Sequence, residues 1–68
     1  MYAETINFEK IEEKKFEQLQ KTLFLTYGYF LVNNGEIYLL EKDGMELEET
    51  VRFTRVLLKY MNIKILNK

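Results

Sequence analysis

Tyr27-Gly28-Tyr29-Phe30-Leu31-Val32, then Asn33-Asn34-Gly35-Glu36, then Ile37-Tyr38-Leu39-Leu40-Glu41-Lys42 is the stretch whose reading decides the fold. Two runs rich in aromatic and aliphatic residues flank a segment with Asn-Gly at its centre. Both residues tolerate positive φ, which a type I′ turn requires, so the segment predicts a β-hairpin. The turn sets a register in which Val32 faces Ile37, Leu31 faces Tyr38, Phe30 faces Leu39 and Tyr29 faces Leu40. Alternation then puts Phe30, Val32, Ile37 and Leu39 on one face. Tyr27, Tyr29, Leu31, Tyr38 and Leu40 go to the other.

Upstream, Phe8, Ile11, Phe16, Leu19 and Leu23 form a stripe at helical spacing, opposite Glu9, Glu12, Glu13, Lys14, Glu17 and Lys21. The pattern predicts a helix over about residues 7–21 with Asn7 as N-cap. Residues 2–8 also alternate weakly, so a short leading strand is the alternative. Thr22–Thr26 either extends the first hairpin strand or ends the helix. Downstream, Asp43-x-x-Glu46 reads as a capping-box variant opening a helix over about residues 45–61. Leu47, Val51, Thr54, Leu58 and Met61 form its stripe, widened by Phe53, Leu57 and Tyr60. Asn62 is placed to stop it in the left-handed conformation. Ile63–Leu66 then reads as a short final strand. The expected fold is a single α+β domain over residues 1–68, in the order α-β-β-α-β. A hairpin and a C-terminal strand, parallel to a hairpin strand, would pack against two helices.

Composition narrows the chemistry. The chain contains no Cys, His, Ser, Pro or Trp. Disulfides and a structural zinc are excluded, and the remaining ligands are oxygens that suit Mg²⁺ or Ca²⁺. A Thr or Lys nucleophile would need an activating base that nothing in the sequence marks. No signal peptide and no apolar run of membrane-spanning length is visible, which predicts a cytoplasmic protein without a membrane partner. The richness in Ile, Lys, Asn, Glu and Tyr points to an AT-rich genome, of the kind viruses and mobile elements carry.

Glu41-Lys42-Asp43 at the end of a strand, with a helix following, resembles the tail of the core found in PD-(D/E)xK nucleases over residues 36–66. The resemblance implies two acidic groups and a Lys holding Mg²⁺ and a water at the strand end. The sequence departs from that pattern. Glu41 and Lys42 are adjacent, so alternation sends them to opposite faces. The strand over residues 27–32 supplies no Asp or Glu. One placed carboxylate remains, and the segment reads as a charged strand end beside a helix cap. Phosphate loops are absent too, since Gly28, Gly35 and Gly44 lie far apart. The expected protein is not an enzyme and holds no cofactor or metal.

Two surfaces are left to carry a function. The net charge of −1 divides into −6 over residues 1–49 and +5 over residues 50–68. Within the basic third, Arg52, Arg55 and Lys59 share one helix face and are candidates for phosphate contacts. The overall acidity, with a pI near 5.4, weighs against nucleic acid. The other surface is the tyrosine face of the hairpin. An antiparallel hairpin with one wet face should alternate apolar and polar, and this one is apolar on both. Tyr27, Tyr29, Leu31, Tyr38 and Leu40 are therefore the candidate protein interface, since tyrosine is enriched at interfaces. A helix on each face would instead bury these rings. The expected function is a small protein-binding or regulatory module. A homodimer is expected as well, because a chain of 68 residues without covalent or metal staples has a small core. Nucleic-acid binding through the basic helix face is the alternative.

Overall fold

The computed structural model describes residues 3–27, 30–41 and 46–66. The elements are β1 (Ala3–Asn7), α1 (Glu13–Tyr27), β2 (Leu31–Asn33), β3 (Glu36–Leu40) and α2 (Leu47–Tyr60). The class is α+β, as the sequence predicts. The order is β-α-β-β-α, with the third strand of the sheet supplied by the N-terminal segment.

β2 and β3 form the expected hairpin, with Leu31 opposite Tyr38 and Val32 opposite Ile37. The turn differs from expectation. Gly35 has φ of 78°, while Asn34 is not in the positive region, so the turn is not type I′. Positive φ at the second central residue alone is the pattern of a type II turn. Phe8 lies against this turn: its N–H donates to the Gly35 carbonyl at 2.8 Å. A Cβ on Gly35 would sit 3.3 Å from the Phe8 carbonyl oxygen. Gly35→Ala should therefore cost about 1–2 kcal/mol in urea unfolding, from left-handed strain alone, plus whatever the crowding adds. A neutral result would show that the turn relaxes.

Residues 3–7 pair antiparallel with β3, with Ile6 opposite Ile37 and Thr5 opposite Tyr38. The expected helix start at Asn7 is corrected: Asn7 ends a strand, and the helix begins at Glu13. As a strand, the segment fills the second edge of β3 and sends Ile6 into the core at 0% exposure. The sheet order is β1-β3-β2. β1 and β2 therefore run parallel with β3 between them, and α1 is the crossover of a split β-α-β unit. α1 also runs on to Tyr27, past the expected end at Lys21. Thr22–Thr26 stay helical because Leu23 follows Leu19 one turn later and both are buried.

α2 starts at Glu46 as N-cap, without a side-chain capping bond. The expected capping box fails because Glu46 is itself the cap; Asp43 lies outside the described residues. Leu47, Thr50, Thr54 and Leu58 are buried. Tyr60 was expected to widen that stripe but is 86% exposed. The two buried threonines are satisfied within the helix. Thr50 Oγ1 donates to the Glu46 carbonyl at 3.2 Å, and Thr54 Oγ1 donates to the Thr50 carbonyl at 2.8 Å.

Asn62, at φ 63°, ends α2 as expected. Ile63 N–H donates to the Leu58 carbonyl at 2.9 Å and Asn62 N–H to the Lys59 carbonyl at 3.0 Å. This is a Schellman motif, and its usual apolar contact is present, since Leu58 and Ile63 share the core. The expected final strand is also corrected. Its residues do not return parallel to the hairpin. Ile65 makes an isolated antiparallel bridge with Phe8. Glu9 N–H donates to the Lys64 carbonyl at 2.8 Å and Leu66 N–H to the Asn7 carbonyl at 2.7 Å. β3 is already paired on both edges, and the tail after Asn62 instead clasps the far end of β1.

The core contains Ile6, Phe8, Ile37 and Leu39 from the strand segments, Leu19 and Leu23 from α1, and Leu47 and Leu58 from α2, with Ile63. Period-2 alternation makes the strand residues one face of the sheet. Both helices lie on that face.

Candidate functional site

With both helices on one side, no described helix covers the other face of the sheet. The register fixes its composition. Thr5, Tyr38 and Leu31 form one row across the three strands, and Asn7, Glu36 and Asn33 form the next. Leu40 extends the apolar end along β3. Leu31 is 51% exposed. Tyr38 and Leu40 are half-buried. None of the three belongs to the core.

Three of the five expected interface residues, Leu31, Tyr38 and Leu40, thus share this face. Tyr27 does not, because it is the last residue of α1. The sequence reading put it on a strand because Tyr27-Gly28-Tyr29 is rich in β-forming residues; helix packing through Leu23 overrode that preference. Tyr29 lies outside the described residues. Thr5, Asn7, Glu36 and Asn33 were missed, and only the strand assignment of residues 3–7 could have revealed Thr5 and Asn7.

The face changes character along its length. Tyr38 with Leu31 and Leu40 makes an aromatic and aliphatic end, while the turn end is polar. The Tyr38 hydroxyl donates to the Glu36 carboxylate two residues away. That hydrogen bond, then the negative charge of Glu36, then partial burial raise the Tyr38 pKa above its ordinary value. The hydrogen bond directs the hydroxyl along the strand towards Glu36.

The basic face of α2 is divided. Arg52 and Lys59 are exposed and Arg55 is half-buried. Arg52 Nη2 lies 3.9 Å from Glu48 Oε2, an i,i+4 pair on the helix. Such an exposed pair contributes little stability. It does set an acid among the cations that would meet phosphates.

Among the described residues no group of His, Cys, Asp or Glu could hold a metal ion. Glu41 is exposed at the end of β3, and Lys42 and Asp43 lie outside the described residues. No described helix is long and apolar enough to cross a membrane. A groove of about 400 Å³ opens beside β2, floored by Phe8, Ile11, Phe16 and Val32, with Lys10 and Glu13 at its rim.

Fold and site together define a small α+β domain built on a split β-α-β unit, with one sheet face packed and the other open. Comparison with protein-family models, curated proteins and solved structures finds no match.

Proposed function

We propose that this chain is a non-enzymatic protein-binding module whose contact surface is the open sheet face centred on Tyr38, with Leu31 and Leu40 beside it. One observation carries the reading: both helices cover the same face, so an apolar and aromatic row on the other side remains accessible. A half-exposed tyrosine is a residue type enriched at interface hot spots, and the leucines beside it add apolar contact area. The lack of cysteine suits work in a reducing compartment such as the cytoplasm. Phosphate binding by Arg52, Arg55 and Lys59 is the weaker reading, since Glu48 already engages Arg52.

The test separates contact from core. Replacing residue 38 with a photo-crosslinking amino acid should capture the protein partner, which is then titrated against wild type and Tyr38→Ala. Tyr38→Ala should weaken that binding by about 1–3 kcal/mol, as aromatic hot spots do. Its loss of folding stability in urea should be clearly smaller. A stability loss of about 3–5 kcal/mol with unchanged binding would mark Tyr38 as a core ring and remove this face from consideration.

A further inference from the structure

We propose that β2 is the pairing edge of a two-fold homodimer. In it, β2 of one copy adds antiparallel to β2 of a second, centred on Val32, and two three-stranded sheets become one continuous sheet. The proposal deepens the binding-module reading, because the dimer would merge two open faces into one.

The first support is the state of the two sheet edges. Among the described residues, β2 pairs with β3 on one side only. Asn33 opposite Glu36 closes a two-residue turn, so alternation directs the N–H and C=O of Val32 away from β3. An open edge of this kind is a template for another strand. Proteins usually blunt such edges with short strands, charge or proline; β2 is short, at three residues, but Leu31-Val32-Asn33 carries neither charge nor proline. The opposite edge is treated differently. β1 carries Glu4, and its far end is clasped by the tail through Glu9 and Asn7.

The second support is self-complementarity. With the axis at Val32, the N–H and C=O of Val32 in each copy meet their counterparts as a hydrogen-bonded pair. Leu31 then faces Asn33 of the second copy and lies diagonal to its Leu31 on the open face. That would cover a leucine now 51% exposed. On the other face the two Val32 side chains come side by side. Val32 also lines the apolar groove with Ile11 and Phe16, so the two grooves would adjoin across the axis. The whole strip is uncharged, which favours an identical copy over a partner that must be recognised by charge. Its short length favours the two-fold arrangement, in which each hydrogen bond occurs twice.

Light scattering after size exclusion, on the full chain at tens of micromolar, tests this. The expected mass is twice the 8.3 kDa of one chain. Two variants should shift it to the monomer. Leu31→Lys brings like charges together across the axis. N-methylation of the Val32 amide, accessible by chemical synthesis, removes the edge donor while leaving the side chain in place. Each should weaken dimerisation by about tenfold or more, with the far-UV circular dichroism of the folded chain unchanged. If the methylated chain fails to fold, Leu31→Lys alone decides. Tyr38→Ala should keep the dimer mass, so loss of partner binding and loss of dimer are read separately. A monomeric wild type overturns the proposal, including one that adds a foreign extended peptide at the same edge. So does a dimer whose dissociation constant, read by dilution, is unchanged in both edge variants.

Discussion

Ile6→Ala is expected to lower the unfolding free energy by about 2–5 kcal/mol, the range for truncating a buried aliphatic side chain. The residue is fully buried in β1, directly opposite Ile37. A domain of 68 residues has a total stability of roughly 3–10 kcal/mol. The substitution would thus remove a large share of the total and lower the urea midpoint accordingly. Thr5→Ala, one residue away on the open face, should stay within about 0.5 kcal/mol, as exposed substitutions do. Urea denaturation of both variants at one fixed protein concentration gives the contrast, since any dimer would make stability depend on concentration. Equal, small effects would mean that the N-terminal segment is a frayed end and not the third strand of the sheet.

Leu58→Ala should be as severe, at about 2–5 kcal/mol. Leu58 is fully buried on α2, and its carbonyl accepts the Ile63 N–H that closes the Schellman motif. Truncation leaves a cavity under Ile63 and loosens the turn that directs the tail towards β1. Val56→Ala, two residues earlier at 60% exposure, should change stability by no more than about 0.5 kcal/mol. A second readout follows from the geometry. Amide exchange at Glu9 and Leu66, which bond to Lys64 and Asn7, should accelerate in Leu58→Ala more than exchange in the hairpin. Unchanged protection there, with a stability loss below about 1 kcal/mol, would show that the tail is held independently of α2.

If the open face and the β2 edge act as proposed, one short hairpin serves two purposes. Its side chains on the open face meet a partner, and its backbone edge meets a second copy. The split is physical: side chains leave a strand perpendicular to the sheet, whereas backbone hydrogen bonds lie in its plane. Tyr38 in the central strand and Val32 in the edge strand can therefore be changed separately.

By itself the sequence determined what depends on neighbouring residues. Asn34-Gly35 sets the hairpin register, because a two-residue turn admits few backbone paths, and that register sorted Leu31, Tyr38 and Leu40 from Val32, Ile37 and Leu39. The stripe of α2 and the Asn62 stop were legible for the same reason. Only the tertiary structure decided the rest. Residues 3–8 fit a strand as well as a helix start, and the free edge of β3 settled the choice by giving their N–H and C=O groups partners. Thr22–Tyr27 carry β-forming residues, yet burial of Leu23 beside Leu19 kept them helical and took Tyr27 out of the sheet. The tail paired with the end of β1 rather than joining the hairpin because the turn at Asn62 aims it there. Which face stays open was likewise beyond the sequence, since both faces of the hairpin are apolar. It was decided when the split β-α-β crossover and α2 packed on the same side.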